Sequence, residues 1–124
     1  MTSATTQALG DAAEARALDH LLGHGLALVQ RNYRVARGPR ARGGEVDLIL
    51  RDRDGTLVFV EVRARKSARF GGAAASVGIA KQRSIVLAAT YFVSRMASPP
   101  PCRFDVVAVD GEQIEWLRAA FDAG

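Results

Sequence analysis

Two apolar runs, residues 46–52 and 56–62, flank Arg53-Asp54-Gly55 and set the pattern from which the rest of the chain is read. Both are dense in Val, Ile, Leu and Phe, the composition of strands buried in a sheet. A three-residue hairpin loop wants its last residue in the left-handed region, and Gly55 adopts that region at no steric cost. Such a loop sets Asp52 opposite Thr56, so Asp47 falls opposite Glu61 and Glu45 opposite Arg63. Strand side chains alternate. Val46, Leu48, Leu50, Val58, Val60 and Val62 therefore share an apolar face, while Glu45, Asp47, Glu61 and Arg63 gather at one end of the other. A loop one residue longer or shorter would slip the pairing and separate the carboxylates.

The remaining pattern supplies the other elements. Residues 7–23, rich in Ala and Leu, predict a helix that stops at Gly23-His24-Gly25, with Ala17, Leu18, Leu21 and Leu22 as its inward stripe. Residues 26–30 predict a first strand, and the Gly/Ala/Ser-rich stretch 66–78 an irregular loop in which Phe70 could stack or anchor. Residues 79–97 predict a second helix, with Val86, Ala89, Thr90, Val93 and Met96 on one side, that must end before Pro99-Pro100-Pro101. Residues 103–109 and 113–117 predict two strands about an Asp110-Gly111 turn. The order α-β-β-β-α-β-β predicts an α/β fold, a central mixed β-sheet flanked by helices. The 124 residues are expected to form one domain, 1–124, with residues 1–6 as a disordered tail.

The same face-by-face reading isolates chemistry. Facing positions on paired strands lie about 4.5–5.5 Å apart at Cβ, so Asp47 and Glu61 would repel each other, and burial sharpens that repulsion. Two readings are open. In one, Glu45 and Arg63 form a cross-strand ion pair while Asp47 takes backbone hydrogen bonds. In the other, a hard cation such as magnesium, which favours one or two carboxylates with water and phosphate oxygens, reverses the sign. Glu14 bears on the choice, because it lies on the inward stripe one turn before Leu18. It either snorkels to water or an arginine, or it projects toward Asp47 and Glu61.

An ordered set of motifs now resembles a known family. Gly10-x-x-x-Glu14-x-x-Ala17, Arg31-Asn32-Tyr33-Arg34, Gly44-Glu45-Val46-Asp47-Leu48-Ile49 and Val58-Phe59-Val60-Glu61-Val62-Arg63-x-Arg65 are similar to those of the YraN family of small bacterial proteins. So are Lys81-Gln82-Arg83 and Arg103-Phe104-Asp105-Val106, and the resemblance runs from about residue 8 to residue 121. It implies a restriction-endonuclease-like fold, shared with Holliday-junction resolvases, and the description predicted endonuclease. The signature implied is a helix glutamate, a strand aspartate and a Glu-x-Lys, matched by Glu14, Asp47 and Glu61 with Arg63. The resemblance thus implies Mg or Mn held by Glu14, Asp47 and Glu61, with Asp47, Glu61 and Arg63 as catalytic candidates. Arg63 departs from the pattern. A guanidinium keeps its proton and cannot act as a general base, though it can orient a phosphate. Glu45, Lys81 and Gln82 are second-shell candidates; Lys81 has the alternative reading of an exposed lysine in a first helical turn.

Charge adds a partner. The chain carries 17 Lys plus Arg against 13 Asp plus Glu, a net charge of +4, and all but two of the basic residues are arginine. Guanidinium suits phosphate contact, although high-GC coding also favours arginine. Arg31, Arg34, Arg37, Arg40 and Arg42 precede the hairpin, and Arg65, Lys66 and Arg69 follow it. Two basic clusters bracketing an acidic site make DNA the expected partner.

Other classes fall away. The one cysteine, Cys102, excludes an internal disulfide and argues against a disulfide-linked partner, which makes cytoplasmic the default location. No apolar run is long enough to span a bilayer, and residues 1–10 lack a signal-peptide core. His20 and His24 have a zinc-compatible spacing but are read as surface residues. With one tryptophan and 6% aromatic residues, a sugar-binding glycosidase cleft is disfavoured. The chain is read as a divalent-metal-dependent nuclease-like protein acting on DNA phosphodiesters, branched or structured DNA included; the alternative is a nucleic-acid-binding module without turnover. A homodimer is compatible with the chain but not specified by it.

Overall fold

The hairpin forms in the register its loop dictates. The computed structural model describes residues 5–64 and 77–124. Its elements are α1 (Thr6–Gly23), β1 (Ala27–Val35), β2 (Gly44–Arg51), β3 (Leu57–Ala64), α2 (Ile79–Val93), β4 (Cys102–Asp110) and β5 (Gln113–Phe121). Leu48 pairs with Val60, Ile49 with Phe59, Leu50 with Val58 and Arg51 with Leu57, the alignment that sets Asp47 against Glu61. Gly55 has φ +91°, and the Asp52 N–H donates to the Thr56 carbonyl at 2.9 Å to close the loop. Phe70, Arg65, Lys66 and Arg69 lie outside the described residues.

The five strands run β1-β2-β3-β4-β5 in one sheet. Neighbours pair antiparallel except β3 and β4, which are parallel and joined through α2. The sheet is therefore mixed and flanked by two helices, as the element order predicts. Leu48, Leu50, Val58 and Val60 pack under α1 against Ala13, Ala17, Leu18 and Leu21. Ile49, Leu57 and Phe59 pack under α2 against Ile85, Ala88 and Ala89. The face that carries the charged residues at one end is thus core over the rest of its length. Val46 departs from its expected set: it clusters with Tyr33 on the α2 side, where the neighbouring Asn32 has φ +51°.

Several element boundaries move. β1 runs to Val35 rather than residue 30, so Arg31 and Arg34 stand on a strand paired with Leu48 and Glu45. α2 ends at Val93, short of Met96, which packs on the core from the following turn. On α2 the fully buried positions are Ile85, Ala88 and Ala89, whereas Thr90 is exposed. Leu22 is exposed, and Ala13 takes its place on the α1 stripe. At the other end, Thr5 caps α1 by accepting from the Ala8 N–H at 3.0 Å.

Two polar devices hold the sheet. Asp105, fully buried on β4, accepts from Arg103 Nε at 3.1 Å, Trp116 Nε1 at 2.9 Å and the Ala119 N–H at 2.9 Å. Arg103 Nη1 also donates to Asp52 at 2.7 Å, so one network joins the hairpin loop to β4 and β5. The second device is an absence of side chain. A Cβ on Gly44 would stand 2.6 Å from the Ser84 carbonyl oxygen and 2.8 Å from the Ala88 nitrogen, both backbone atoms of α2. Gly44→Ala is expected to destabilise by about 1–3 kcal/mol, the range for overpacking, as a lowered urea midpoint at unchanged m-value. A neutral substitution would show that α2 does not close on β2 as described.

Candidate functional site

The register puts two acids side by side, and burial decides how they behave. Asp47 Oδ2 accepts from the Val62 N–H at 2.8 Å, which pins the carboxylate at the point where the β2–β3 ladder ends. Glu61 is only 2% exposed. Its Oε2 faces Arg63 Nη1 at 3.6 Å and Lys81 Nζ at 3.9 Å, while Oε1 is sealed from solvent and meets no fixed donor among the described residues. The Glu61 carboxyl lies beside that of Asp47, and two neighbouring carboxylates resist being ionised together. Burial first, and then Asp47, push the Glu61 pKa up to about 8.

Glu14 sits on α1, half-buried, and loss of solvent followed by the Asp47 charge raises its pKa while Arg31 opposes. It shares a polar pocket of about 290 Å³ with Asp11, Asn32, Arg34, Glu45 and Asp47. The helix therefore does aim its glutamate toward Asp47. Among the described residues, however, no three Asp, Glu, His or Cys side chains close into a ready metal-ligand set. Paired carboxylates with a sealed, donorless oxygen still fit a hard divalent cation, which completes its shell with water and phosphate oxygens.

The cations are arranged differently from the simplest expectation. Glu45 does not pair with Arg63; it pairs with Lys81 at 2.8 Å and with Arg34 at 3.5 Å. The Lys81 hydrogen bond holds the Glu45 carboxyl below its ordinary range. Burial opposes the Lys81 ammonium, but the Glu45 hydrogen bond and the charges of Glu61, Glu45 and Asp47 outweigh it and raise its pKa. Lys81 is therefore a charged, partly buried member of the cluster rather than an exposed lysine of a first turn. Gln82 is not part of it, since its Nε2 donates to the Val77 carbonyl at 3.0 Å and ties down the helix start. Arg40 is exposed in the β1–β2 connection, whereas Arg37 and Arg42 line a cleft against α2.

Sequence reasoning missed Gln7, Asp11 and Asn32 as walls of the acidic pocket. The spacing of 7, 11 and 14 on a helix was the available signal, because it places those residues on one face. Asn32 carried a fainter one: asparagine tolerates a positive φ better than most residues. His20 and His24, read as plain surface, form a ring cluster with Trp116, their centroids 4.4 Å apart.

A mixed sheet between two helices, with a buried glutamate beside an aspartate and a tethered lysine at one strand end, defines an α/β protein carrying a carboxylate–cation cluster. The model of the Uncharacterised protein family UPF0102 matches residues 13–109. The UPF0102 protein of Methylibium petroleiphilum is 68% identical over 119 residues, covering 96% of this chain and 98% of its own. That of an Acidovorax species is 60% identical over 119 residues, covering 96% and 88%, and that of Cupriavidus pinatubonensis 58% over 118 residues, covering 95% and 88%. The chain belongs to the UPF0102 family, the family of the YraN proteins. No helix among the described residues is long and apolar enough to cross a membrane.

The raised Glu61 pKa has a thermodynamic sign. Between the ordinary value of 4.5 and about 8 the native protein holds a proton that the unfolded chain has released. The linked stability is full below that window and lost as pH rises through it. Glu14 acts in the same direction, and His20, lowered by burial, acts in the other. In EDTA, the melting temperature of the wild type relative to Glu61→Gln is expected to fall from about pH 5 to about pH 8. A pH-independent difference would contradict a protonated Glu61.

Proposed function

We propose that this chain is a divalent-metal-dependent nuclease-like protein acting on DNA phosphodiesters, with Asp47 and Glu61 holding Mg or Mn and Glu14 beside them. The observation that carries the reading is Glu61 Oε1, an acceptor sealed in the core without a donor among the described residues and next to a second carboxyl. Natural interiors rarely leave such an atom unanswered unless it serves chemistry. A bound cation would polarise a phosphate oxygen and acidify a water. The protein's own groups supply the rest. Lys81 and Arg63, both on the Glu61 side, are placed to balance negative charge that grows on a phosphate. Lys81 would supply the ammonium that the Glu-x-Lys pattern has where this chain has Arg63, and Glu45 holds it near Glu61.

Arg63 also favours a second reading, a DNA-binding module without turnover, since arginine cannot serve as a base. Flap, junction and single-stranded DNA incubated with manganese separate the two. Cleavage that Asp47→Asn abolishes supports the enzyme. Cleavage surviving in that variant would be contamination, and salt-sensitive binding without cleavage in either metal would leave the binding module.

If cleavage is found, Lys81→Ala should lower its rate about 10²-fold, the usual cost of one transition-state donor, and Lys81→Arg should retain most of it. Equal rates for wild type and Lys81→Ala would remove Lys81 from the mechanism. Millimolar magnesium should raise the melting temperature of the wild type and leave Asp47→Asn unmoved; equal shifts in both would place the cation elsewhere.

A further inference from the structure

The acidic pocket is one end of a longer depression. Arg34 and Glu45 line both it and a neighbouring cleft of about 690 Å³ between the β1–β2 connection and the first turns of α2. That cleft continues past Arg37 and Arg42 to Arg83 and Leu87. Gly43 and Gly44 are among its lining residues, and the absence of a Cβ on Gly44 is what lets β2 meet α2. Its wall is fixed, because the Glu45 N–H donates to Ser84 Oγ at 3.2 Å.

The cations along it divide in two. Arg34 and Lys81 are committed to Glu45. Arg37, Arg42 and Arg83 pair with no carboxylate among the described residues, and they come from two separate elements onto one cleft. Among the described residues, no aromatic ring and no Asn or Gln amide lines either lobe. Base stacking needs the first and adenine readout the second. A cleft whose described lining offers neither, but brings three guanidinium groups with no carboxylate partner among the described residues, suits a phosphate chain.

We propose that this cleft seats the sugar–phosphate backbone of a DNA strand leading away from the Asp47–Glu61 pair, gripped by Arg37, Arg42 and Arg83 without reading its bases. The proposal rests on the DNA reading above and adds where the strand lies and what holds it. Each phosphate neutralised on duplex DNA contributes about 0.9 to the slope of log affinity against log salt. Three such contacts therefore account for about 2.7 of that slope.

The test is fluorescence anisotropy of the full chain with labelled duplex DNA in EDTA, which separates binding from cleavage, across a salt series. The Arg37→Ala/Arg42→Ala/Arg83→Ala variant should lose about 2.7 from the slope, and its Arg→Lys counterpart should keep most of it. Arg95→Ala, just past the far end of α2, should change nothing, and two duplexes of unrelated sequence should bind the wild type within about twofold. An unchanged slope in the triple alanine variant, with wild type binding normally, would overturn the cleft and leave the DNA reading standing. Strong preference for one sequence would overturn readout by phosphate alone. Failure of the wild type to bind any duplex at low salt would remove the DNA reading and this inference together.

Discussion

Two carboxyl groups that repel each other are held together by strand pairing, and the rest of the site is arranged around that conflict. The Gly55 loop fixes the β2–β3 register, and the register leaves Asp47 and Glu61 no distance to separate. Asp47 is tied by the Val62 N–H. Glu61 is roofed by the α2 side of the sheet, with Phe59 two residues before it fully in the core. A side chain so placed must take a proton or meet a cation, because an isolated buried charge costs far more than either.

The cations nearby act as partial answers. Lys81 reaches Glu61 only at 3.9 Å, since its closer partner is Glu45 at 2.8 Å. Glu45 therefore keeps the ammonium within range of Glu61 without neutralising it. That arrangement depends on α2 lying close against β2, which Gly44 permits and the Ser84 hydrogen bond to Glu45 fixes. At the opposite end of the sheet, the Asp105 network does the comparable work of locking β4 to β5.

The hairpin, its register and the placement of Asp47 against Glu61 were legible because loop length and strand alternation are local and nearly rigid rules. Glu14 was legible for the same reason, as a polar residue interrupting an apolar helical stripe. Lys81 was legible only as one candidate with an alternative reading, because its role comes from the packing of α2 on β2, a long-range contact that no spacing in the chain encodes. The reading that paired Glu45 with Arg63 followed the pairing rule alone, which sees the facing strand and not the helix above it. β1 was cut short because residues 31–34 are polar. An edge strand exposed on one side needs no apolar run, and Tyr33 is the one residue there that is buried.

The account turns on one carboxyl group. Titration of the Glu61 side-chain carbon by NMR, first without metal and then with magnesium, tests it most directly. Metal-free, the resonance should titrate near pH 8, and magnesium should move that midpoint below neutrality by replacing the proton. A midpoint in the ordinary carboxylate range, unchanged by magnesium, would contradict the buried pair and the cation site built on it.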